Sequence, residues 1–227
     1  MDYTYYGTNQ ECLPYAPTHA MQFGTALQRI IQCLVYCDPS HGPPLLSKVD
    51  LADGYYRVPL SPEAALGLAV IIPSDSPAHP EPLIALPLAL PMGWSQSPPF
   101  FCAYTETIMD MTNDATTVTN QHPMVQQSQS IALSQPPHFH PQAIVLGTSK
   151  QSPLSYTDIY IDDFMVVAQQ PNHIPTINKL FHMIDAVFQD VPDSQRCQII
   201  SQSKLDKSDG SSPLKSASLA GILTPTP

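Results

Sequence analysis

Proline limits what this chain can fold into. It occupies 26 of the 227 positions, more than twice the ~5% of an ordinary domain. Each proline removes a backbone donor and fixes φ. Much of the chain must therefore be loop, and the length allows one domain with a real core, or one such domain plus segments outside it.

Apolar spacing locates the regular elements. Phe23, Leu27, Ile30, Ile31, Leu34 and Val35 recur at helical intervals and predict a core-packing helix from about Met21 to Cys37. Asp38-Pro39 and Gly42-Pro43-Pro44 end it. Leu45 to Leu51 reads as a buried strand that carries a carboxylate, Asp50, at its end. Burying that acid unpaired would cost several kcal/mol, roughly, so it either reaches water or meets a cation. Leu66 to Ile72 and Leu83 to Leu86 read as second and third strands. A rigid loop, Leu90 to Pro99, opens a helix over about Pro98 to Asn113 with Phe101, Tyr104, Ile108 and Met111 on one side. Trp94, the sole tryptophan, either anchors this loop to the core or touches a ligand.

From about 114 to 154 the composition shifts to Thr, Gln, Ser, Pro and His with little periodicity, which reads as a low-complexity insertion, disordered or loosely looped, with no chemistry assigned to it. Two short β-branched and aromatic runs follow, Ser155 to Ile159 and Phe164 to Ala168, with Tyr160-Ile161-Asp162-Asp163 between them. The runs are strand-like, and an Asp pair is turn chemistry, so the stretch predicts a hairpin with acids at its tip. An amphipathic helix over about Asn172 to Gln189 then presents Ile174, Ile177, Leu180, Phe181, Ile184, Val187 and Phe188 as one apolar stripe, suited to covering a sheet. Residues 1–20 read as an irregular segment. Residues 191–227 read as a polar tail whose single apolar run, Leu219 to Leu223, either adds a short strand or stays mobile.

The formal charge of -10 is the wrong sign for a protein whose whole surface holds a phosphate backbone. It leaves open a local site where metal ions, rather than Lys and Arg, meet phosphates. Five scattered cysteines without a CxxC read as reduced thiols of an intracellular protein. No basic segment followed by an apolar core marks a secretion signal, and no apolar run is long enough to span a membrane.

Three pieces stand in order: a strand ending in Asp50, a Pro-x-Gly-Trp loop opening a helix, and a hairpin tipped by Asp162 and Asp163. Together they resemble the palm domain of reverse transcriptases, RNA-directed DNA polymerases, particularly those of long-terminal-repeat retroelements. Val49-Asp50-Leu51-Ala52-Asp53-Gly54-Tyr55-Tyr56 is similar to the family's first catalytic motif. Leu90-Pro91-Met92-Gly93-Trp94-Ser95-Gln96-Ser97-Pro98 is similar to its nucleotide- and template-contacting loop, and Tyr160-Ile161-Asp162-Asp163 to its Tyr-x-Asp-Asp signature. The likeness runs over residues 21–190, interrupted by the insertion.

The resemblance implies an α+β fold with a palm-like antiparallel sheet and helices packed on one face. It implies nucleotidyl transfer with two divalent ions, Mg²⁺ or alternatively Mn²⁺, held about 3.5–4 Å apart by hard oxygen ligands. Asp50 and Asp162 would bridge the ions, the Leu51 carbonyl would add a ligand, and Asp163 would complete the acidic cluster. Backbone N–H groups of Ala52, Asp53 and Gly54 would meet a deoxynucleoside triphosphate, and Tyr55 would select its sugar. Met92 and Gly93 would line the nucleotide, Ser97 and Pro98 would seat the template strand, and Tyr160 would brace the hairpin near the primer end. The implied partners are triphosphates, an RNA/DNA template-primer and the remainder of a polyprotein, with no membrane. A complete fingers subdomain and a thumb are not recognisable, so the chain reads as a palm-centred polyprotein piece or a decaying element copy.

Overall fold

The computed structural model describes residues 3–4, 7–11, 22–73, 81–115, 118–125 and 152–188. The fold is mixed α+β, with two small antiparallel sheets and helices. The chain divides into two compact units. One is built from residues 53–103 with the described residues before position 21, and the other from residues 22–52 together with those from Tyr104 onward. No helix among the described residues is long and apolar enough to cross a membrane.

The first unit holds α1 (Thr8–Glu11), α3 (Pro62–Gly67), β2 (Val70–Ile72), β3 (Leu83–Ala85) and the opening turns of α4 (Ser97–Asp114). The region read as one strand from Leu66 is instead a helix followed by a three-residue strand. Ser61 is the reason: its hydroxyl accepts the Ala64 N–H while Pro62 starts the first turn, a cap that favours helix over strand. β2 pairs with β3 through Val70↔Ala85, Ile71↔Ile84 and Ile72↔Leu83.

The second unit is organised on a three-stranded sheet in the order β1 (Pro44–Asp50), β5 (Asp163–Gln169), β4 (Ser155–Tyr160). Register sorts its side chains into two faces. Val49, Phe164 and Ile159 share a rung on one face; Asp50, Asp163 and Tyr160 share a rung on the other, and Lys48, Met165 and Asp158 the next rung. α5 (Gln170–Val187) lies on the first face, with Ile177, Leu180, Phe181 and Ile184 buried, as its stripe predicts. It is joined there by polar contacts, Ser155 Oγ to Thr176 Oγ1 at 2.7 Å and Ser47 Oγ to His173 Nε2 at 2.6 Å.

α2 (Ala26–Tyr36) reaches the opposite face through Arg29 and Asp158, so the helices do not keep to one face as expected. The buried residues of α2 are Ala26 and Ile30, whereas Leu27 and Val35 are each 68% exposed, which corrects the reading of a wholly core-packing stripe. The end at Asp38 holds, since that carboxylate caps the next turn by accepting the Ser40 N–H. α4 buries Phe101 and Ile108 as predicted, while Tyr104 and Met111 are exposed and Thr105, Glu106 and Thr112 are buried instead.

Residues 118–125 are not loose, contrary to the insertion reading. Asn178 of α5 donates to the Asn120 carbonyl and accepts the His122 N–H, His122 pairs with Asp185 at 3.1 Å, and Met124 and Val125 are buried. The rest of the insertion, the 191–227 tail, Cys12 and Cys197 lie outside the described residues. Cys33 and Cys37 are free thiols.

Burial holds the His173 imidazole below its ordinary range. In the fold it takes up a proton only at lower pH than in the unfolded chain, where it does so as pH drops through about 6.5. The unfolded state then binds more protons, so stability is full above that value and falls as pH decreases through it. Denaturant midpoints at pH 7 and pH 5 should show this decline in the wild type and a shallower one in His173→Gln. Equal declines in the two proteins would remove His173 from the account.

Candidate functional site

β1 and the β4–β5 hairpin bring the acids to one end of the three-stranded sheet. Asp50, the last residue of β1, stands directly opposite Asp163, the first of β5, and Asp163 in turn faces Tyr160, the last of β4. The turn between the hairpin strands is only Ile161-Asp162, so Asp162 adjoins the same rung. Ile161 has φ 61. A positive φ at the first central position alone is the type II′ hairpin pattern, normally filled by glycine, and a β-branched residue there is strained. Thr105 of α4 braces this turn by donating to the Ile161 carbonyl at 2.9 Å. Strain of this kind, held by surrounding contacts, marks a turn whose shape is constrained.

Asn113 of α4 fixes the outer edge of β4. Its amide donates to the Thr157 carbonyl and accepts the Thr157 N–H, both at 2.9 Å, as another strand would. On the acid-bearing face Arg29 grips Asp158 in a two-pronged ion pair, Nε to Oδ2 at 2.8 Å and the terminal nitrogen to Oδ1 at 2.6 Å. Tyr156 Oη also donates to Asp158. The pairing raises the Arg29 guanidinium further, and burial with the Asp158 contact raises the Tyr156 hydroxyl.

Asp163 is half-buried, and Lys48 Nζ lies 2.5 Å from its Oδ2. Oδ1 is buried without a hydrogen-bond partner among the described residues. Burial is the largest influence on this carboxyl and pushes it up; Lys48 opposes that, while the Asp50 and Asp162 carboxyls push the same way as burial. As carboxylates, Asp50 and Asp163 are both acceptors, so they can bond to each other only through a shared proton.

Among the described residues no group of three His, Cys, Asp or Glu side chains is gathered closely enough to hold a metal. The backbone register brings the three acids to one end of the sheet. The donor set itself suits a hard divalent cation, all carboxylate oxygen with one buried oxygen, Asp163 Oδ1, left unpartnered. Leu51 is buried beyond Asp50, Ala52 is half-buried, and Tyr160 is half exposed at the hairpin end.

The remaining motif residues belong to the first unit. Asp53 adopts left-handed geometry (φ 53, ψ 39) ahead of a short 3-10 turn, Gly54–Arg57. Gly54 is required by packing: a Cβ there would sit 2.6 Å from Phe101 Cζ. Tyr55 stacks on the same ring, centroids 4.7 Å apart. In the loop before α4, Gly93 has φ 93, a value that needs glycine, and Met92 is exposed. Ser97 is buried and donates to the Pro91 carbonyl at 2.7 Å, so its hydroxyl closes the loop; Pro98 is half-buried in the first turn of α4. Trp94 is buried against Phe100, the anchoring role of its two alternatives.

Asn9, which sequence reasoning misses, clamps this loop. Its amide donates to the Gly93 carbonyl at 3.0 Å and accepts the Ser95 N–H at 2.8 Å. Nothing in its sequence surroundings signals this. Arg29 is the missed residue with a readable signal, a lone charge among the apolar positions of a helix.

No family model matches the chain, and no curated protein matches it.

Proposed function

We propose that the chain is a reverse-transcriptase palm domain, an RNA-directed DNA polymerase unit that extends a primer from deoxynucleoside triphosphates. One observation carries this reading: Asp50 closes β1 directly opposite Asp163, beside the tight turn that holds Asp162. Acids presented from two neighbouring strands suit a pair of ions; a single strand could not offer them from both sides. Asp50, Asp162, Asp163 and the Leu51 carbonyl would hold Mg²⁺ or Mn²⁺, which when bound supplies positive charge for the attacking and leaving oxygens of an in-line displacement. Tyr160 would brace the primer end. The resemblance assigns the Ala52 to Gly54 backbone to the triphosphate, Met92 and Gly93 to the nucleotide, and Ser97 and Pro98 to the template strand.

Primer extension on an RNA template with Mg²⁺ tests the proposal. Deoxynucleotide incorporation is expected, and its absence on every template offered would overturn the reading. Tyr55, stacked on Phe101, is assigned sugar selection by stacking beneath a deoxyribose and excluding a 2′-hydroxyl. In an active chain Tyr55→Ala should raise ribonucleotide use by about tenfold or more, the scale of one lost steric contact in a shaped pocket. Unchanged discrimination would remove that role.

A second reading, a domesticated or inactive copy keeping the fold as a binding module, is favoured by the Lys48 ion pair on Asp163, which occupies an oxygen that a metal would take. Metal titration with no heat of binding, alongside failed extension, would select it.

A further inference from the structure

We infer that Lys48 is the resident counter-cation of the acidic end of the sheet and competes with divalent metal for Asp163. This rests on the proposed metal-dependent reading but goes beyond it, since it assigns a role to a residue outside the three motif acids. Lys48 lies two residues before Asp50 on the same face of β1, diagonal to Asp163 across the β1–β5 pair. Its ammonium reaches Asp163 Oδ2 at 2.5 Å and leaves Oδ1 buried and unpartnered.

The arrangement has a plain electrostatic origin. Three carboxylates brought to one sheet end repel one another, and a cation beside them relieves that repulsion. Arg29, the other cation on this face, is committed to Asp158. Lys48 therefore supplies the compensating charge, and as a single charge on a flexible stem it holds one oxygen of one acid. A divalent ion taking both Asp163 and its neighbours must displace that ammonium from Oδ2. Lys48 thus keeps the acids folded together in the metal-free protein and sets how tightly metal binds.

Isothermal titration of the full chain with Mn²⁺ tests this, on the wild type, Lys48→Met and Lys48→Arg. Loss of the competing charge should tighten Mn²⁺ binding by about fivefold in Lys48→Met, the scale of one part-exposed ion pair, while Lys48→Arg stays near wild type. The metal-free melting temperature should fall in Lys48→Met and rise more steeply with added Mn²⁺ than in the wild type. If the Met variant does not fold, Lys48→Gln, which keeps a hydrogen-bond donor without the charge, carries the same expectation. Mn²⁺ binding that is unchanged or weaker without the lysine charge would overturn the inference, as would no binding in any of the variants. The outcome is separable from the polymerase reading. Tighter binding in a chain that extends no primer supports the counter-cation and sinks the polymerase; unchanged binding beside intact extension does the reverse.

Discussion

Replacing Arg29 with alanine is expected to destabilise the second unit by about 3 kcal/mol, the lower end of the range for breaking a buried ion pair. The lower end applies because the Arg29 side chain is partly exposed, at 27%, whereas Asp158 is wholly buried. The cost comes from what remains. Asp158 would keep the Tyr156 hydroxyl and the Ile159 N–H but lose both charged donors, leaving a carboxylate in the sheet interior without a counter-charge. Neutralising the acid as well should recover much of the loss. An amide introduced by Asp158→Asn could still accept from Tyr156, so Arg29→Ala combined with Asp158→Asn should be more stable than Arg29→Ala alone. Denaturant melts of the two variants check this, and a single variant within about 0.5 kcal/mol of wild type would show the pair to be a surface contact.

The second large effect falls on Asp50. Asp50→Asn keeps the size and the β1 register but removes one of the two carboxylates that face each other across the strands. Under the proposed function this should lower primer extension by at least about a hundredfold, the scale of losing one preorganised charge at a reacting phosphate. The fold should survive, because the amide keeps the size of the residue ending β1 and removes one of the two like charges on the Asp50–Asp163 rung. Extension within a few-fold of wild type by a folded Asp50→Asn protein would take Asp50 out of the site.

The elements that can be read from the sequence are those fixed by local chemistry. The apolar stripe of α5, the loop-to-helix junction at Ser97 and the two hairpin strands follow from spacing and turn residues alone. The strand read through Leu66 fails because the Ser61-Pro62 cap outweighs β-branched content C-terminal to it. The exposed half of α2 is invisible for a different reason: periodicity marks an apolar face and does not say what covers it. At the site, the sequence marks an acid ending one strand and a hairpin tipped by acids; that β1 pairs with β5 and so sets Asp50 opposite Asp163 is not in the local pattern. Nor are the contacts that shape it. Thr105 on the Ile161 carbonyl, Asn113 along β4, Lys48 on Asp163 and Asn9 across the Gly93 loop all join residues far apart in the chain, and such pairings leave no periodic trace. Glycine at position 54 lets the backbone turn or approach something closely, and the close approach found there is to Phe101.

Primer extension by the wild type and Asp162→Asn, side by side on one RNA template with Mg²⁺, tests the central claim most directly. Asp162 sits in the two-residue hairpin turn, where an amide is tolerated as well as a carboxylate, so both proteins should fold alike. Incorporation by the wild type and none above background by the variant is expected. Equal incorporation by the two, or none by a folded wild type, would contradict it.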